Sequence, residues 1–143
     1  EENRARYYDQ LLAVTCDGDW NGWIEYFLQA VVHQSRENIE RARAVLHLYE
    51  VHKERIVSLT RSQFAIQTLD FIFREPIFTS TDFIARSQIP RPSAVRILNH
   101  LKDKVLFVME EGRGNRPALY AFFELLRTAD PHPQDDERSK RVR

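Results

Sequence analysis

At 143 residues the chain has room for one ordinary domain or two very small ones, and its 43% hydrophobic and 11% aromatic content excludes wholesale disorder. The single cysteine, Cys16, excludes an internal disulfide and a cysteine-rich zinc site, and reads as a small buried or half-buried thiol. Twenty-one basic and twenty-one acidic residues cancel, so the molecule as a whole offers no electrostatic case for nucleic acid, and no apolar run approaches the ~20 residues of a membrane span.

Residues 3–14 carry Tyr7, Tyr8, Leu11, Leu12 and Val14 at three- and four-residue spacing, which predicts a short amphipathic helix. Asp17-Gly18-Asp19 breaks it, with Gly18 past the helix end and Asp19 or Asn21 as the next cap. Residues 20–59 contain no proline and only one glycine, Gly22. Trp20, Ile24, Phe27, Leu28 and Val31 form a stripe that Ile39, Ala42, Leu46, Tyr49 and Ile56 continue beyond a polar patch at 34–38. A single helix here would be about 58 Å long, more than a small domain covers by itself. It either breaks near Ser35, projects between two modules, or packs against a neighbour or a second copy of the chain, and packing is the favoured reading.

A third helix starts at Ser62 and stops before Pro76, because the residue preceding a proline is driven out of helical geometry. Thr79, Ser80, Thr81 and Asp82 supply N-cap groups for a short fourth helix to about Ser87, and Ile89-Pro90 makes a turn. A fifth helix runs from Arg91 or Pro92 to about Lys104. Residues 106–110 and 118–121 are strand-like, and Gly112, Gly114 and Asn115 between them suit a hairpin loop. A final helical turn or two follows at 122–127. The expected architecture is mainly α: a helical region with a long helix (1–60), a winged helix-turn-helix with a small β-hairpin (61–128), and a disordered polar tail (129–143).

Charge is sorted along this plan. Residues 1–60 hold seven basic and ten acidic groups, a net of minus three, whereas residues 86–116 hold seven and three, a net of plus four. On the fifth helix Ala94, Leu98 and Leu101, with Ile97 alongside, form a core face. Arg91, Ser93, Arg96, Asn99 and His100 occupy the other side, and the hairpin loop adds Arg113, Asn115 and Arg116. Such side chains donate to phosphates, and Arg and Asn also pair with guanine and adenine edges, so double-stranded DNA is the leading partner. The alternative is a solvated face on a module for dimerisation or target docking, with a homodimer formed through the long helix.

Other chemistry finds little footing. His47 and His52 are five residues apart and lack the company of a metal motif, so no metal is assigned. Trp20, Trp23, Tyr26 and Phe27 read as helix core rather than a stacking platform. No glycine-rich phosphate loop or nucleophile elbow is present, and no catalytic residue is assigned.

Asn3-Arg4, Tyr7-Tyr8 with Leu11, Gly18-Asp19-Trp20, Trp23 and Tyr26-Phe27-Leu28 together resemble the end of the catalytic core of Fic (filamentation induced by cAMP) proteins. Many Fic proteins also end in a winged helix, to which the stretch from Ser62 to Leu126 is similar, including Pro92-Ser93-Ala94 and the wing sequence from Arg113 to Arg116. The resemblance implies a bacterial cytoplasmic parent that transfers AMP to protein hydroxyls with ATP and magnesium. The family's His-Pro-Phe…Gly-Asn-Gly-Arg loop is absent here, since His132-Pro133 is followed by Gln134-Asp135-Asp136, and its Ser/Thr-x-x-x-Glu inhibitory pattern is missing too. No cofactor is therefore expected for this chain alone, and an upstream Fic core is an expected partner within the parent.

Overall fold

A computed structural model describes residues 2–114 and 116–129, with side chains from Arg4 onward. Among the described residues the order is α1 (Glu2–Asp17), α2 (Trp20–Thr60), α3 (Ala65–Arg74), β1 (Ile77–Thr79), α4 (Ser80–Arg86), α5 (Arg91–Leu101), β2 (Phe107–Glu110), β3 (Leu119–Ala121) and α6 (Phe123–Ala129). The chain is mainly helical and divides into two compact units, Glu1–Arg41 and Ala42–Arg143. Asn115 and the predicted tail from residue 130 onward lie outside the described residues, and Ala129 belongs to α6.

In the first unit α1 ends in an αL cap. Gly18 takes φ +67°, its N–H donates to the Val14 carbonyl at 3.1 Å, and the Asp19 N–H donates to Ala13 at 3.3 Å. Asp19 then caps α2, accepting the Gly22 N–H at 2.9 Å. Tyr7 meets Trp23 edge-on at 5.5 Å between ring centroids, and Arg6 lies over the Tyr26 ring at 5.6 Å. α2 runs unbroken through Ser35.

Two expectations are corrected here. Trp20 and Phe27, read as core, are 63% and 56% exposed, and Ile24, Leu28, Val31, Val32 and Ile39 are exposed with them. The sixteen-residue α1 covers one side of α2, where Trp23 and Tyr26 are half-buried, and leaves the other side open. Cys16, expected to be at least half-buried, is exposed near the end of α1.

The second unit starts within α2. His52, Ile56 and Thr60, four residues apart, are all buried, and Ile56 joins a core with Leu69 and Ile72 of α3, Phe83 of α4, Ile97, Leu98 and Leu101 of α5, and Phe122. Edge-to-face rings fill it: Phe71 with Phe78 at 5.2 Å and Phe83 at 5.1 Å, and Phe122 with Phe73 at 5.4 Å.

The sheet has three strands in the order β1-β3-β2, all antiparallel, where the sequence predicts only the β2–β3 hairpin. Phe78, Tyr120 and Val108 pair in one row and pack toward the core. The pairing shifts at Met109, the extra residue of a bulge between Val108 and Glu110. Thr79 leaves β1 as the N-cap of α4 in a reciprocal box: its Oγ1 accepts the Asp82 N–H at 3.1 Å, and the Asp82 carboxylate accepts the Thr79 N–H at 3.2 Å.

Ser87 ends α4, and Gln88 takes φ +58°, turning the chain toward Pro90, the residue ahead of α5. α5 stops at Leu101, three residues before its predicted end. Asp103 adopts φ +62°, and the Leu101 carbonyl accepts N–H groups from Lys104, Val105 and Leu106 at 3.2, 3.0 and 3.0 Å. This tight turn returns Val105 and Leu106 to the core, burial that a continued helix would forfeit.

Candidate nucleic-acid interface

The helix after the turn, α5, has a sharply divided surface. Ala94, Ile97, Leu98 and Leu101 are buried, while Arg91, Pro92, Val95, Arg96, Asn99 and His100 are exposed. At 100° per residue the centre of the exposed side falls between Pro92, Arg96 and Asn99, with Val95 and His100 flanking. Ser93, half-buried, sits at the margin toward Ile97.

The wing is the connection between β2 and β3. Arg113 and Arg116 exchange backbone hydrogen bonds of 3.1 and 3.0 Å, Gly114 between them takes φ +57°, and both arginine side chains are exposed. A Cβ at Gly114 would meet nothing, so glycine is needed there for backbone conformation rather than space.

The seven basic residues of 86–116 have different fates. Arg86 is held in a two-pronged pair by Glu75, with N···O distances of 2.6 and 2.5 Å. Lys102 donates to Glu111 at 2.8 Å, which raises its pKa and ties the end of α5 to the base of the wing. Among the described residues, Arg91, Arg96, Lys104, Arg113 and Arg116 form no ion pair. Asp103 and Glu110 are the carboxylates of this stretch outside such pairs, so the cationic excess survives folding.

Sequence reasoning passed over two exposed residues of this region, Val95 and Lys104. The signal for Val95 is its place four residues after Arg91 and four before Asn99; Lys104 was hidden by extending the helix through it.

His47 is exposed, whereas His52 is fully buried, 4.8 Å from the Phe122 ring centroid with Nε2 2.6 Å from Glu124 Oε2. Arg55 reinforces that corner, donating to the Lys104 carbonyl at 2.5 Å and approaching Glu124 at 3.7 Å. Among the described residues no three His, Cys, Asp or Glu side chains cluster as a metal site, and no helix is long and apolar enough to cross a membrane.

Helix, strand, helix, turn, helix and hairpin define a winged helix-turn-helix, the class to which the second unit belongs. No family model matches this sequence, and no curated protein matches it either.

Proposed function

We propose that the second unit docks on double-stranded DNA, with α5 in the major groove and the wing on the adjoining backbone. Arg91, Ser93, Arg96, Asn99 and His100 lie on the groove side in this reading, with Arg91 and Arg96 reaching the phosphates that line the groove, and Arg113 and Arg116 of the wing meet phosphates of the adjoining backbone. The observation that carries it is that Arg91, Arg96, Arg113 and Arg116, on α5 and the wing, are exposed and have no carboxylate partner among the described residues. Idle arginines at those two places suit phosphates and base edges. Fluorescence anisotropy with a labelled duplex tests the reading. Arg96→Ala weakens binding, whereas Arg127→Ala, on α6, leaves it unchanged; equal affinity of wild type and Arg96→Ala refutes the assignment.

The likeness of the Tyr7-Tyr8 and Gly18-Asp19-Trp20 segments to the end of a Fic core supports placing this module in a cytoplasmic protein of that family. Its parent would carry the AMP transfer, ATP and magnesium, and none of that chemistry is assigned to residues of this chain.

A second reading has its own observation. The exposed apolar side of α2, from Trp20 through Ile24, Phe27 and Leu28 to Val32, favours an assembly or target-docking module, including a homodimer through that helix. Light scattering separates the two: a dimer that dissociates with Phe27→Glu while Arg96→Ala changes nothing supports assembly.

A further inference from the structure

Val95 lies outside the hydrophobic core of the described residues. It is 42% exposed, while the core side of α5 is completed by Ala94, Ile97, Leu98 and Leu101. Its exposed neighbours at three- and four-residue steps are Pro92, Arg91 and Asn99, with Arg96 adjacent. A protein interface is a poor explanation, because the exposed side of α5 offers only Pro92 and Val95 as apolar groups, beside Arg91, Arg96, Asn99 and His100.

A β-branched side chain in a helix keeps essentially one χ1 rotamer, so Val95 presents its methyl groups at a fixed place with little entropy left to lose. In the major groove the feature that matches a fixed aliphatic group is the C5-methyl of thymine, which no other standard DNA base carries. Asn99 lies one helical turn further on, and its carboxamide offers the donor and acceptor that match adenine N6 and N7.

Resting on the DNA-docking reading, we infer that Val95 is a specificity residue that packs on a thymine C5-methyl, with Asn99 pairing to adenine nearby. α5 therefore selects a site containing A·T pairs, and the thymine methyl is one of its determinants. Arg91 and Arg96, to either side, hold the register on phosphates.

The test uses the full chain and a duplex pool with a randomised centre. Duplexes retained by the protein are resynthesised with deoxyuridine replacing each thymine in turn, which deletes the methyl and nothing else. Wild type loses affinity about fourfold at one such position, the worth of one buried methyl, and Val95→Ala, whose circular dichroism matches wild type, binds the thymine and uracil versions equally. Retention of duplexes with the same affinity for thymine and uracil at every position overturns this inference alone, as does a thymine preference that persists in Val95→Ala. Failure to retain any duplex overturns the docking reading and this inference with it.

Discussion

Ile56→Ala measures whether the carboxyl-terminal part of α2 is structurally part of the winged unit. Ile56 is fully buried in the core formed with α3, α4 and α5, although it lies before the residue-61 boundary that the sequence suggests. Truncation removes three carbons worth about 0.8 kcal/mol each in transfer free energy, and the cavity left behind brings the expected loss to about 2–5 kcal/mol. Leu46→Ala on the same helix is the control: Leu46 is 68% exposed, so its loss should stay within about 0.5 kcal/mol. Urea unfolding followed by circular dichroism reads the difference, because both tryptophans, Trp20 and Trp23, belong to the first unit and their fluorescence reports that unit. Hydrogen exchange of α5 amides localises it. Should Ile56→Ala fail to fold, Ile56→Val keeps the test alive with a loss of about 0.5–1.5 kcal/mol. A midpoint for Ile56→Ala that matches Leu46→Ala, with unaltered exchange in α5, refutes the reasoning.

Two predictions concern pH. The hydroxyl of Thr79, donating to the Asp82 carboxylate at 2.5 Å, and the Thr79 N–H hold the Asp82 pKa below its ordinary value. A depressed carboxyl pKa contributes stability that is present above the unfolded value and lost as pH falls through the folded one, so Asp82→Asn flattens the acid limb of a urea-midpoint profile. An unchanged acid limb contradicts the capping box. Tyr49 donates to Asp70 at 2.6 Å, and this hydrogen bond, with burial and the Asp70 charge, pushes the phenol up to about 12. The contribution is complete below the ordinary tyrosine value and lost as pH rises through about 12, and Asp70→Asn returns one phenolate transition toward the ordinary range in an ultraviolet titration.

The winged helix was legible because its punctuation is local. Pro76 stops α3, Thr79 and Asp82 start α4, Pro90 precedes α5, and Gly114 marks the wing, each acting within a few residues. β1 was not legible. A three-residue strand that follows Pro76 and ends on the N-cap Thr79 carries no alternation to detect, and its strand character comes from pairing with β3, forty or more positions later in the chain. The end of α5 depended on the burial of Val105 and Leu106, a tertiary matter that helical periodicity does not encode.

At the candidate interface the sequence counted charges but could not say which were already spent. Arg86 and Lys102 belong to the basic stretch, yet Glu75 and Glu111 occupy them, and the pairing follows from the fold. Likewise the apolar stripe of α2 announces that something favours covering that face, without distinguishing half-buried Trp23 from exposed Trp20 three residues away. His52 is the reverse case: an isolated histidine whose buried role depends on Glu124, 72 positions along the chain.

The claim that most needs measurement is that Arg91, Arg96, Arg113 and Arg116 meet phosphates. Four such contacts give a slope of log affinity against log salt of about −3.6, or a fall of about 150-fold between 50 and 200 mM salt. Each arginine-to-alanine substitution at these positions should then shallow the slope by about 0.9. Duplex affinity measured by anisotropy across that salt series decides it. A slope near −3.6 that shallows stepwise with each substitution is the result predicted here; a flat salt dependence, or one that all four alanine variants share with wild type, contradicts it.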